Sequence, residues 1–156
     1  MSDTSANGHR SPRVSVPPHN LEAEKSVLGA ILLDERHLDR IVTDEQLRPE
    51  HFFREQHAQV YAAMLRLHEH GRQIDHLTVA EALRERGQLD EVGGPGAIDE
   101  LAGWVPAAGH AREYGRIVRD NALLRALLRA TYDIQAQVAD RQRGGEELIE
   151  EAERLI

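Results

Sequence analysis

Between Ala111 and Arg141 the chain contains no proline and a single glycine, Gly115, near the start. Nothing in that stretch breaks a helix, and at 1.5 Å per residue the helix runs about 45 Å. The ordered chain before it, about 90 residues, makes a body with a radius of gyration near ~13 Å. Such a body cannot wrap the rod, so the rod is expected to project. Gly144 and Gly145 then turn the chain, and EELIEEAERLI reads as a returning helix. The last third is therefore an expected antiparallel helical hairpin. Its second helix breaks off at Ile156 without a cap, which suggests a piece of something longer.

The residues ahead of the rod read as a helical head. PPHNLEAEKSVLGAILLD carries a full set of helix-starting signals. Pro17 and Pro18 stop any backward extension, Asn20 is a good N-cap, and Glu22 and Glu24 fall where the helix dipole favours negative charge. Leu21, Val27, Leu28, Ile31 and Leu32 share one face, and Gly29 suits close approach of another helix. Leu38, Ile41 and Val42 mark a short second helix. His51–Glu69 is expected to be a third, with an apolar stripe from Phe52 and Phe53 through Val60, Tyr61, Met64, Leu65 and Leu67, ended by Gly71. Thr78 reads as the N-cap of VAEALRER, which stops at Gly87. EVGGPG is a turn, and Ala97–Val105 a short helix closed by Pro106. No period-two alternation appears, so the fold class is all-α: a compact multi-helix head followed by a protruding hairpin. Leu28, Phe52, Tyr61 and Trp104 are assigned to the core. The expected organisation is a disordered tail over 1–16, a head over 17–109 and the hairpin over 110–156.

On a helical wheel the rod's apolar residues occupy half the circumference or more, where packing on one partner needs about 100°. Ile117, Leu124, Leu128 and Thr131 cluster, Leu123, Leu127, Ile134 and Val138 extend the stripe on one side, and Tyr114 and Val118 widen it on the other. One returning helix cannot cover that arc. A second copy of the hairpin is the simplest cover. Tyr114, Ile117, Leu124, Leu127, Leu128, Ile134 and Val138 are the expected self-association residues, with their division between the return helix and a second subunit left open. Folding back of the rod onto the head is the alternative.

Composition removes other functions. The chain of 156 residues has net charge -8, which opposes phosphate backbones and favours a protein partner. Zero cysteine excludes disulfides, iron–sulfur clusters and thiol catalysis. No segment has the roughly 20 apolar residues of a membrane span, nor is there a secretory h-region, so the cytoplasm is the expected location. His68 and His70 in HEHGRQIDH are two apart, not the i, i+4 of a helical zinc pair, and read, with His76, as solvated. Glu146, Glu147, Glu150 and Glu151 read as a solvated face. GGPG lacks the lysine and hydroxyl residue of a phosphate loop. TVAEALRERG with IDELAG suggests a helix-turn-helix, but Glu81, Glu85, Asp90, Glu91, Asp99 and Glu100 outnumber Arg84 and Arg86 there. No catalytic, cofactor or metal residues are assigned.

Several segments together resemble the N-terminal domain of the bacterial DnaB-type replicative DNA helicases: PPHNLEAEKSVLGAILLD, LRPEHFFREQHAQVYAAMLRL, IDHLTVAEALRERGQLDEVGG and LAGWVPAAGHAREYGRIVRDNALLRALL, in family order. The resemblance covers about Pro17 to Ile156. His51-Phe52-Phe53 stands where the family often has Asp-Phe-Tyr, and Gly109 where it often has Asn. The resemblance implies a helical head and hairpin, hairpin dimers, and three dimers forming the collar of a hexameric ring. It also implies docking of a DnaG-type primase, at positions not assigned here. ATP and Mg, and most DNA contact, belong in that family to a separate C-terminal motor, so no ATPase activity is expected of this chain. A stand-alone helical adaptor and a histidine-based metal hydrolase are the rival readings.

Overall fold

The computed structural model describes residues 16–104 and 107–156. The tail reading for 1–16 and the closure of a helix by Pro106 lie outside or almost outside the described residues. Among these, seven α-helices and no strands are present, so the fold is all-α.

The first helix, α1 (Leu21–Leu33), starts as its sequence dictates. Asn20 Oδ1 accepts from the Ala23 N–H at 2.9 Å. Its apolar face, with Val27, Leu28 and Ile31 fully buried, forms the centre of the head, and Gly29 is buried with them. Glu24 stands in the first turn as expected and is also buried, accepting from the Phe53 N–H, from the Arg54 N–H at 3.4 Å, and pairing with His57 Nδ1 at 2.7 Å.

That carboxylate explains a correction. Helix α3 spans Glu55–Glu69, four residues later than the expected start at His51. Glu24 engages the amides of Phe53 and Arg54 at the helix mouth, in the manner of an N-cap supplied by another element. Before it, α2 (Arg36–Thr43) and a 3-10 turn at Pro49–His51 carry the chain across the head. Tyr61 is fully buried, and its hydroxyl donates to the Leu47 carbonyl at 2.8 Å. Burial raises its phenol above the usual range. At the far end of α3, Gly71 takes φ +62°, and Arg72 N–H closes on the Leu67 carbonyl at 2.8 Å. This is the left-handed exit that glycine provides at helix C-termini.

Helix α4 (His76–Glu85) is capped by Asp75, not Thr78. Thr78 is instead the reciprocal member of a capping box: its N–H donates to Asp75 Oδ1 at 2.8 Å, and its hydroxyl accepts from the Asp75 N–H at 2.9 Å. Helix α5 (Pro95–Gly103) begins two residues before the expected Ala97, because Pro95 occupies the first turn, where its missing N–H costs nothing. Only 91–94 of EVGGPG therefore remain outside helices. Trp104, expected in the core, is 43% exposed; it follows the last turn of α5, with the Lys25 ammonium 4.5 Å over its ring.

A 3-10 turn at Ala108–His110 leads into α6 (Ala111–Asp140), 30 residues long and uninterrupted. Arg141 then adopts the left-handed conformation at φ 53°, and α7 (Gly145–Leu155) returns along α6.

Candidate functional site

Helix α6 changes environment at its middle. Its first half is seated on the head: Ala111, Gly115 and Val118 are buried, and Tyr114 and Ile117 pack partly buried against the head core. Gly115 sits over α2, where an added Cβ would lie 3.7 Å from Ile41 Cγ2. Glu45, buried in the segment after α2, draws in three arginines of α6. Arg112 Nη2 approaches its carboxylate at 3.1 Å, Arg116 Nε at 3.5 Å, and Arg119 Nη1 donates to its carbonyl at 3.2 Å.

Arg125 is the outermost of these anchors. Its guanidinium donates to the Pro18 carbonyl at 2.8 Å and the His51 carbonyl at 2.7 Å, and lies 5.5 Å from the centre of the Phe53 ring. Burial lowers the Arg125 guanidinium from its usual value, and the buried Glu24 carboxylate acts in the opposite sense. These bonds join the start of α1, the 3-10 turn before α3 and the middle of α6 through one side chain.

Past Arg125 the head contributes nothing to the buried core of α6, and Ala130 is the only buried residue of the outer half. Ala130 and Ile134 lie on the same side of the helix, and Ile134 is half-buried. On α7 the half-buried residues are Leu148, Glu151 and Ala152, whose i, i+3, i+4 spacing marks the face turned to α6. Leu124 and Val138 lie roughly 80–120° around the helix from Ala130, and remain 52% and 54% exposed. Leu127 is 48% exposed and Leu128 half-buried.

The seven expected association residues thus divide. Tyr114 and Ile117 are taken up by the head, Leu128 and Ile134 are half-covered, and Leu124, Leu127 and Val138 are open. The expectation missed Tyr132 on α6, and Ile149, 61% exposed on α7, which joins the open apolar set. The acid-rich look of EELIEEAERLI hid Ile149, although a single isoleucine between paired glutamates was the available signal.

A groove of about 680 Å³ lies between α1, α3 and α5. Lys25, His57, Val60, Glu100, Leu101 and Trp104 are among its walls. His57 is committed to Glu24, and among the described residues the groove is lined by no Ser, Thr or Cys. Among the described residues no group of three or more His, Cys, Asp or Glu is placed to hold a metal ion. His68 pairs with Asp39 at 3.0 Å and is half-exposed, while His70 Nδ1 bonds the Arg66 carbonyl at 2.7 Å. Among those residues, too, no helix is long and apolar enough to cross a membrane.

Comparison with known proteins places this geometry. The model of the DnaB-like helicase N-terminal domain matches residues 16–120. The replicative DNA helicase DnaB of Geobacillus stearothermophilus is 38% identical over 141 residues, which is 90% of this chain and 31% of that protein. The replicative DNA helicase DnaC of Bacillus subtilis gives the same figures, 38% over 141 residues, 90% and 31%. The chain thus spans about a third of the length of these relatives. In the crystal structure of the N-terminal domain of DnaB helicase from Mycobacterium tuberculosis, 97% of the chain is covered by 90% of this one, at 36% identity and TM-score 0.81. A DnaB-like replicative helicase, solved in a study of its interactions with primase, matches at 26% identity and TM-score 0.68, covering 87% of this chain and 30% of that one.

Proposed function

Because this chain belongs to the DnaB-like helicase N-terminal domain family, we propose that it is an assembly and recruitment module, the N-terminal collar domain of a replicative DNA helicase in the cytoplasm. The head holds the hairpin at a fixed angle through Glu45 and Arg125. The hairpin pairs with a second copy across Leu124, Leu127 and Val138, with Leu128 and Ile134 shared between that contact and α7. Tyr114 and Ile117, already packed on the head, orient the rod. Three such dimers make the hexameric collar, on which a DnaG-type primase docks.

The chain itself performs no chemistry. ATP hydrolysis with Mg, DNA unwinding and most DNA contact belong to a separate motor domain of the longer protein. A net charge of -8 suits that division, since it discourages the domain from holding nucleic acid alone.

One observation carries the reading: from Leu124 outward α6 has more apolar surface than α7 shelters, with Leu124 and Val138 more than half exposed. Large apolar side chains grouped along one rigid element usually mark a contact surface. The test is the solution mass of the chain by light scattering across a concentration series. Dimers or higher species that dissociate on dilution support the reading. A monomer at every concentration removes self-association and leaves the adaptor alternative. Reading the encoding gene past Ile156 separates the two on other grounds, since a phosphate-loop motif after a strand pattern is required of a helicase.

A further inference from the structure

A second feature lies away from the hairpin, where the C-terminal ends of α3 and α4 meet. There a concavity of about 240 Å³ is lined by Arg66, Arg72, Arg86, His70 and Glu85, with Leu67 and Ala82 between them. Several arginines of this acidic chain sit against carboxylates, as Arg36 on Asp34, Arg84 on Glu81, Arg112 on Glu45 and Arg143 on Glu147, and others, as Arg119 and Arg125, against main-chain carbonyls. Among the described residues, no carboxylate makes an ion pair with Arg66, Arg72 or Arg86.

Helix capping does not account for them. The terminal carbonyls of both helices are already engaged by main-chain donors: Leu67 by the Arg72 N–H at 2.8 Å, His68 by the Gly71 N–H at 3.0 Å, Leu83 by the Gln88 N–H at 2.9 Å and Arg84 by the Gly87 N–H at 2.9 Å. Among the described residues the three guanidinium groups have no acceptors of their own. Arg66 Nη2 is shut away from solvent and has no hydrogen-bond partner among the described residues. Burial lowers the Arg66 guanidinium, the like charge of Arg86 lowers it further, and Glu69 opposes this. A desolvated cationic N–H without an acceptor is costly, and like charges gathered where acids are plentiful call for an anion.

We propose that this concavity is a binding site for a compact phosphate group carrying two or more charges, such as the pyrophosphate of a small nucleotide, held by Arg66, Arg72 and Arg86. Planar guanidinium forks match phosphate oxygens in pairs. The small volume of about 240 Å³ suits one compact group, and the net charge of -8 works against a long polyanion. Glu85 on the wall limits the site further, disfavouring a ligand that spreads past the three arginines.

The test is a titration of the whole chain with sodium pyrophosphate at physiological ionic strength, following the arginine side-chain Nε–H signals by NMR. The Arg66, Arg72 and Arg86 signals are expected to move together along one saturating curve, with Kd below about 1 mM. Arg86→Gln should weaken binding about ten-fold or more, and Arg84→Gln, whose partner is Glu81, by less than about two-fold. Should Arg86→Gln lose helix content, Arg72→Gln on the exposed loop replaces it. Shifts that never saturate, or an equal loss with Arg84→Gln, would overturn the site. Tighter binding of a single-stranded oligonucleotide than of pyrophosphate would overturn the small-ligand assignment.

Discussion

The two halves of α6 are one unbroken helix with similar apolar content, and they lead different lives. From Ala111 to Arg125 the helix is part of the head, with Val118 buried in its core and Glu45 and Arg125 providing polar anchors. From Ala126 to Asp140 no residue of α6 belongs to the head core, and Leu127, Tyr132 and Val138 stay about half exposed. Helix formation is thus satisfied along the whole rod, while large apolar side chains begin to stand open at Leu123 and Leu124. The seated half converts the head into a platform, and the open half presents the surface that a partner can use.

The largest test of this contrast is Val118→Asp. A carboxylate placed in the head core without a partner should cost about 3–5 kcal/mol and largely unfold the domain, as read by urea denaturation. Glu24→Ala attacks the same platform through its polar interior. It strands the Phe53 and Arg54 amides and His57, and a loss of about 3 kcal/mol in urea is expected. An unchanged midpoint would mean that solvent reaches those groups freely.

Gly115→Ala sharpens the contrast from the other side. An alanine Cβ there meets Ile41 and Glu45 at ordinary contact distances of 3.7 and 3.9 Å, so the helix-propensity gain of up to about 1 kcal/mol should survive. A rise in thermal midpoint checks it; a fall would show that α2 and α6 are closer than this spacing requires. The smallest effect on folding belongs to Leu124→Asp, six residues beyond Val118. It should change unfolding free energy by less than about 0.5 kcal/mol, yet convert an associated species to monomer in light scattering. Unchanged mass would remove Leu124 from the association surface.

Much of this was legible in advance because the signals are local. Asn20 as a cap, Gly71 and Gly87 as exits, and the span of α6 to within one residue all follow from hydrogen-bond geometry over a few positions. The misplaced starts of α3 and α4 came from different causes. Thr78 and Asp75 are both competent caps, and only the observed geometry distinguishes them. The start of α3 depends on Glu24, 29 residues away from Phe53, and no local pattern reports that distance. Trp104 was assigned to the core on side-chain type alone, whereas its position after α5 leaves it partly open.

The candidate surface shows the same limit. The width of the apolar arc was readable from spacing, but not which part of it the head would occupy. Ile117 and Leu124 lie within about 20° of each other on a wheel, and the difference between them is where the head ends along the rod. The amino-acid order alone determined that this protein is helical, that its last third is a hairpin, and that the hairpin carries surplus apolar surface, because propensity and periodicity act between near neighbours. Only the tertiary structure decided which leucines are spent on the fold and which remain open, because that depends on contacts between residues far apart in the chain.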